Sequence, residues 1–373
     1  MVTIKIEHDQ SRIAEHVKRW NEIFNSGDFE ASTSLEWSQA LLTSHVKEDA
    51  YRLLVVRDAN EIIGFVPIVL SKTKKYGLSV RWLHPLSEYY STHSDLLLQK
   101  ANEEIAGAVV STLYSLGDKW DVFRMNEIVE TNPILEPIEH HLKKRSISYS
   151  VRTEHPVFYI RLNGTYQDYL QKRTGKFRYN LKRLEKRIKD RGYMEYSKYQ
   201  GRSEWEEGYR QLLYVDQHSW KQDHGTAITS TEKQQSFYRN ICQGASEAGS
   251  LRISILRLNH EPMAYMLGFV KGRRYFSLKT SYVEKYHNIG PGKVLHARVI
   301  EDLFREKFEE FDFAGEPYEW ERQWTDDMRW HRSLFIYNRT AIAKMHALVR
   351  SIKHQNNDKT IHYRDPKNVT PEQ

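Results

Sequence analysis

Cysteine is almost absent from this chain: Cys242 is the only one among 373 residues. An intrachain disulfide, a cysteine-based zinc site and an iron–sulfur cluster are therefore excluded, and no metal is called for. A reducing, cytoplasmic location is expected, and Cys242 itself reads as structural. Long hydrophobic runs are missing as well. The longest apolar stretch, Ile62 to Leu70, is broken by Gly64 and Pro67, whereas a membrane-spanning helix needs about 20 residues. The start, MVTIKIEHDQ, has neither the basic nor the apolar region of a secretory signal. No membrane insertion is expected. A Walker loop and a dinucleotide-binding fingerprint are also lacking.

What is present suits a folded protein. The chain is 39% hydrophobic, 28% charged and 12% aromatic, enough apolar content to bury sizeable cores. Its length suggests two domains. The charge is uneven. Ten Lys or Arg and two acids fall between Lys172 and Arg191, a net +8 in a chain whose total is +7. The remainder is therefore −1, which argues for a localised anionic partner and does not point to general nucleic-acid coating.

The first half reads as a compact α/β domain. Helices are expected near Ile13 to Phe24, Leu35 to His45, Asn102 to Leu116 and Leu135 to Lys144. Strands are expected at Tyr51 to Arg57, Glu61 to Leu70, Val80 to Leu83, Asp121 to Asn126 and Ile147 to Val151. Tyr89, Tyr90, His93 and Asp95 read as a solvated polar loop. Pro156 and Asn163-Gly164 suggest a boundary near 152–165.

In the second half a basic helix is expected from Thr165 to Lys189, with Leu170, Phe177, Leu181, Leu184 and Ile188 at helical spacing. A strand, Tyr193 to Lys198, precedes helices at Ser203 to Trp220 and Thr231 to Ala248. Three strands then run Leu251 to Leu258, Pro262 to Val270 and Arg274 to Tyr282. After a loop come a helix from Pro291 to Lys307, a short strand Phe308 to Ala314, a helix from Pro317 and a strand Ser333 to Asn338. The segment 346–373 reads as a polar tail.

One motif joins a strand to a helix: His287-Asn288-Ile289-Gly290-Pro291-Gly292-Lys293. The glycines let backbone amides approach a ligand. Pro291 suits the first helical turn. Free amides and the helix dipole would then make an anion site for a pyrophosphate; a plain tight helix start is the alternative.

This order and loop resemble the GNAT acyltransferase fold, whose loop carries Arg/Gln-x-x-Gly-x-Gly/Ala; His287 stands in the first position. Residues 160–340 are similar to the Fem-like, CelD/BcsL-type branch, through the basic helix, His218-Ser219-Trp220, Gly290-Pro291-Gly292 and Asp312-Phe313-Ala314-Gly315-Glu316-Pro317-Tyr318-Glu319. Glu319 replaces the Lys usual in that run. The resemblance implies an α/β chain of the α+β type, with two GNAT-like domains, each a mixed, mostly antiparallel sheet flanked by helices. The expected boundaries are 1–152 for a degenerate GNAT-like domain and 153–345 for the catalytic one.

It also implies acyl transfer from an acyl-CoA thioester to an amine, in a ternary complex without a covalent enzyme intermediate. Lys279, Thr280, Tyr282, His287, Asn288, Ile289, Gly290, Gly292 and Lys293 would bind the coenzyme A portion. A backbone amide near Thr280 to Tyr282 would face the developing oxyanion. Glu316, Asp312 and His218 are candidate bases, and Tyr318 could protonate the leaving thiolate. Lys176, Arg178, Lys182, Arg183 and Trp220 are candidate acceptor-binding residues. The acceptor expected from the branch is a nucleotide-linked amino sugar in surface-polysaccharide synthesis. A Fem-type transferase using aminoacyl-tRNA and a peptidoglycan precursor, and a non-catalytic binding module, are the alternatives.

Overall fold

The computed structural model describes residues 1–353 except Tyr76, Tyr89, Ser91 and Thr92, together with Ile361 and Tyr363. The chain forms two compact units. Among the described residues, one holds Met1–Pro156 with Arg329–Lys353 and Ile361, and the other holds Val157–Met328 with Tyr363. The chain thus returns to the first unit after Met328, whereas the sequence reading keeps 153–345 together. Most of the expected tail lies outside the described residues.

The first unit contains β1 (Val2–Glu7), α1 (Val17–Ser26), α2 (Leu35–Ser44), β2 (Tyr51–Asp58), β3 (Glu61–Lys75), β4 (Leu78–Pro85), β5 (Leu97–Leu98), α3 (Glu103–Ser115), β6 (Val122–Val129), α4 (Leu135–Lys144) and most of β7 (Tyr149–Arg161). β2, β3 and β4 form an antiparallel meander, and β6 then pairs parallel to β4 through Trp82↔Val122 and Leu83↔Phe123. Alternating burial along β1, from Val2 to Glu7, marks an edge strand that was not expected. Leu54, Val66, Val109, Phe123 and Ile138 belong to the core between sheet and helices. The polar loop reading needs correction. His93 and Asp95 are buried. Asp95 accepts from Asn132 Nδ2 at 2.7 Å, and His93 Nδ1 meets His331 Nε2 at 3.0 Å. These partners come from distant segments, so the loop's polarity records internal pairing rather than solvation. Tyr89 lies outside the described residues.

The second unit contains α5 (Tyr166–Gln171), α6 (Gly175–Lys189), β8 (Met194–Tyr199), α7 (Trp205–Gln217), α8 (Trp220–Asp223), α9 (Glu232–Ala248), β9 (Leu251–Leu258), β10 (Glu261–Lys271), β11 (Arg274–Tyr282), α10 (Pro291–Arg305) and β12 (Glu310–Asp312). The single basic helix expected is in fact two. Thr165 and Thr174 each cap a helix start, and Arg178 donates to the carbonyls of Leu170, Gln171 and Arg173 at the end of α5. A second set of helix-start signals inside the charged run overrides its continuous periodicity. The helix expected at Pro317 is only a turn of 3-10 helix, Glu319–Gln323. β7 also runs to Arg161, through the expected boundary.

Strand order in this unit is β8-β9-β10-β11-β12, with β12 also antiparallel to the end of β7. The β9–β10–β11 meander followed by a parallel strand repeats the β2–β3–β4–β6 arrangement. Phe177, Leu181, Ile188, Met266, Leu295 and Phe311 belong to its core. The fold class is therefore mixed α/β: two GNAT-like domains, each with a mostly antiparallel sheet flanked by helices. Two elements return to the first unit: β13 (Met328–Tyr337), antiparallel to β6, and α11 (Ala341–Lys353).

Candidate active site

The site is built where β11 leaves its parallel neighbour. β11 and β12 pair only through Arg274↔Glu310, Tyr275↔Phe311 and Phe276↔Asp312. β11 then continues to Tyr282 along β10, with a shift in register between Leu267↔Lys279 and Gly268↔Ser277 that leaves Leu278 as the extra residue. Such a bulge twists the strand. Residues 278–282 therefore keep one backbone edge unpaired by any strand among the described residues. Thr280 is fixed by its hydroxyl, which donates to Tyr265 O at 2.8 Å. Lys279 donates to Thr226 O at 2.8 Å and lies over the Tyr238 ring. Tyr282 is half-buried, and burial raises its phenol pKa.

From β11 the chain makes a turn of 3-10 helix, Glu284–Ile289, and enters α10 through Gly290. Gly290 has φ 65°, and a Cβ there would meet Leu184 Cδ1 of α6 at 2.9 Å. The backbone demands glycine, and an added Cβ would also displace the Leu184 methyl. Gly292 differs. Its added Cβ would meet only Tyr282 Cδ1, at an ordinary 3.5 Å. No side chain caps α10, no acid stands in its first turn, and Pro291 has no N–H. The amides of Gly292 and Lys293 thus lie at an open helix start, where the dipole favours an anion.

Three braces hold this start. His296, fully buried, bonds Gly292 O through Nδ1 at 2.8 Å, and burial lowers its pKa to about 4, so the ring is neutral. Lys293 donates to Gln323 Oε1 at 2.6 Å and lies over Phe177; burial lowers its pKa. Glu261 of β10 receives Lys285 Nζ at 2.6 Å, Tyr214 OH at 2.7 Å and Tyr286 OH at 2.8 Å. These bonds, led by Lys285, hold the Glu261 carboxyl down at about 2 and tie the 3-10 turn to β10 and α7. His287 and Asn288 are exposed, and Ile289 is buried. His287 Nδ1 meets Glu284 O at 3.1 Å, and Arg191 donates to Asn288 Oδ1 at 3.4 Å.

At the other strand, Asp312 is fully buried. Its Oδ1 accepts from Ala314 N at 2.8 Å, closing a left-handed turn, with Arg274 Nη2 3.9 Å from Oδ2. Glu316 is exposed on that turn, and Tyr318 is half-buried. Glu321 accepts from Tyr318 N at 3.2 Å and is buried. Burial first, then the negative charge of Asp312, raise the Glu321 carboxyl to about 8. Sequence reasoning missed Glu321 and Glu261. Neither sits in a motif, and only tertiary packing reveals the first as buried and the second as a three-donor hub. His218 is not part of this group. It ends α7, exposed, with Nδ1 2.7 Å from Tyr214 O, and its carbonyl accepts from Glu284 N at 3.0 Å. Trp220 begins α8 beside His224. Cys242 is buried, and burial raises its thiol pKa.

The open loop, the parted strands and the repeated meander define a GNAT-type fold, and comparison with known proteins agrees. Residues 175–322 match the family model described as "Acetyltransferase (GNAT) domain". The fold of the chain as a whole is that of tandem GNAT proteins, the Fem-like branch included. FemX aligns at a TM-score of 0.61 and 9% identity, covering 92% of this chain and 99% of that one. A tandem GNAT protein from the clavulanic acid biosynthesis pathway aligns at 0.51 and 10%, covering 91% and 100%. L-PGS from Bacillus licheniformis aligns at 0.51 and 12%, covering 85% and 96%. These likenesses concern the fold alone. None of the curated proteins matches by sequence.

Proposed function

We propose that this protein is an N-acyltransferase that moves an acyl group from an acyl-CoA thioester to the amine of an amino sugar, carried by a nucleotide, in surface-polysaccharide synthesis. The observation that carries the donor half is the uncapped, acid-free start of α10 beside the unpaired edge of β11. The amides of Gly292 and Lys293 receive the pyrophosphate, with Asn288 and His287 at the rim. The edge from Lys279 to Tyr282 pairs with the extended pantetheine arm. The amine nitrogen bonds to the thioester carbon, the carbon–sulfur bond breaks, and one amine proton leaves. Glu316, exposed on the turn that follows Asp312, takes that proton, and Tyr318 supplies a proton to the thiolate. Trp220, near Lys221 and His224, offers a stacking face for the acceptor, and the exposed Lys182 offers charge to its phosphates. Arg178 has its guanidinium on α5, so its part is to hold that face.

Calorimetric titration with coenzyme A tests the donor. Micromolar binding, followed by thiol release from acyl-CoA with nucleotide-linked amino sugars, is the expected result. Absence of heat and of thermal stabilisation at saturating ligand sinks the reading. The fold shared with FemX then favours the second one, an aminoacyl-tRNA donor, tested by transfer of a labelled aminoacyl group.

A further inference from the structure

The basic helix is only partly absorbed by the fold. Arg178 is used on α5, Arg173 faces Asp326 at 3.5 Å, Lys186 pairs with Asp190, Lys189 pairs with Glu185, and Arg191 reaches Asn288. Lys172, past the end of α5, and Lys176, Lys182, Arg183 and Arg187 on α6 remain, all exposed and without an ion-paired carboxylate among the described residues. At 3.6 residues per turn, Lys176, Arg183 and Arg187 fall on one line with Tyr179. Tyr179 is 67% exposed, a large aromatic turned outward on the same side. Phe177, Leu181 and Ile188 face the core on the opposite side.

We propose that this outer face of α6 docks the protein on an anionic lipid surface. Shape and charge argue for that partner together. The basic line runs straight for about 17 Å from Lys176 to Arg187 along the outer side of α6, and a straight line of charge on a helix's outer side can meet a flat surface along its whole length. A single strand of nucleic acid is tracked instead by a basic groove with stacking aromatics. Basic side chains with a tyrosine among them suit the headgroup level, where the aromatic ring sits between water and acyl chains. The apolar side of the helix is already used in the protein core, so the contact is peripheral and electrostatic, without insertion. The rest of the chain is nearly neutral and does not hold the protein back. The inference does not depend on the acyl-transfer reading, because it is tested by binding alone.

The test is cosedimentation of the full chain with phosphatidylcholine vesicles, with and without phosphatidylglycerol, at low and high salt. The expected result is pelleting only with phosphatidylglycerol, weakened by salt. A triple change, Lys176→Glu with Arg183→Glu and Arg187→Glu, lowers the partition coefficient at least about 100-fold, since each basic residue near the surface is worth about fivefold. Tyr179→Ala leaves the charge and the buried face untouched and lowers it severalfold. The proposal fails if the wild type does not pellet with phosphatidylglycerol at low salt. It also fails if the folded triple variant pellets like the wild type. Release of the protein from vesicles by an RNA oligonucleotide that the triple variant does not bind would reassign the face to nucleic acid.

Discussion

The two units repeat one plan, a three-stranded meander and a parallel fourth strand, yet the helices that follow their meanders begin in opposite ways. In the first unit α3 is closed. Asn102 Oδ1 accepts from Ile105 N at 2.9 Å, and Glu103 and Glu104 occupy the first turn. In the second unit α10 is open: it starts from a left-handed glycine, without a side-chain cap and without an acid. An Asn cap satisfies the orphan amides internally, and carboxylates already neutralise the dipole. The same fold therefore leaves one anion site available and fills the other. On the acyl-CoA reading proposed above, donor binding falls to the second unit on electrostatic grounds, and the first is a poor candidate for the same task.

The most damaging way to break the contrast is Gly290→Val. A β-branched residue at φ 65°, with its Cβ 2.9 Å from Leu184, strains the loop by about 1–3 kcal/mol. Coenzyme A affinity is expected to drop at least about 100-fold, by roughly the loss of its main anion contact, and the unfolding midpoint to fall with it. Calorimetry and denaturant unfolding read both. Undiminished affinity would show that the loop is not the donor site.

A sharper change imports the first unit's chemistry into the second. Gly292→Asp fits sterically, since the added Cβ makes only a 3.5 Å contact with Tyr282. It puts a carboxylate in the first turn of α10, as Glu103 stands in α3. Stability should hold or rise by about 0.3–1 kcal/mol through the dipole, while coenzyme A binding falls about tenfold or more from charge repulsion. Opposite signs for stability and affinity would separate an electrostatic site from a merely fragile loop.

The pH response offers a third probe. Glu321 is held near 8, against an ordinary 4.5, so the folded protein binds this proton more tightly than the unfolded chain does. The stabilisation is complete below about 4.5 and is lost as pH rises toward about 8. Glu321→Gln removes that slope. The unfolding midpoint of the variant, followed across this range, should change less with pH than that of the wild type. Identical slopes would mean that Glu321 is not held protonated. Activity lost in the variant, with donor affinity kept, would place the carboxyl in proton transfer.

Much of the second unit was legible because its turns are enforced locally. Asn259 and His260 both take positive φ between β9 and β10, Gly272 does so before β11, and Gly290 breaks the loop just ahead of Pro291. These positions announce themselves by residue type. What stayed hidden depends on distant partners. The split of the basic helix is an exception: it rests on the local Thr174 cap, which the continuous charge and periodicity of the run mask. The length of β7 is concealed by His155 and Pro156. α11 was missed although Met345, Leu348 and Ile352 recur at helical spacing, because these side chains are exposed and precede a polar end. Glu321 and Glu261 look like any surface glutamate until packing buries one and gathers three donors around the other.

The smallest expected effect tests the closed half of the comparison. Asn102→Ala removes the cap of α3 and exposes the amide of Ile105, and should lower stability by about 1 kcal/mol, read as a shift in denaturant midpoint. Glu103 and Glu104 remain, so the freed helix start is still acidic and should acquire no affinity for coenzyme A. Extending the change with Glu103→Gln and Glu104→Gln removes those charges. If weak coenzyme A binding then appears in a protein already carrying Gly290→Val, the cap and the two carboxylates alone were closing the first unit. If none appears, an open helix start is not enough. The parted strand edge beside α10 is then needed as well, because pyrophosphate contact and pantetheine pairing must act together to hold the donor.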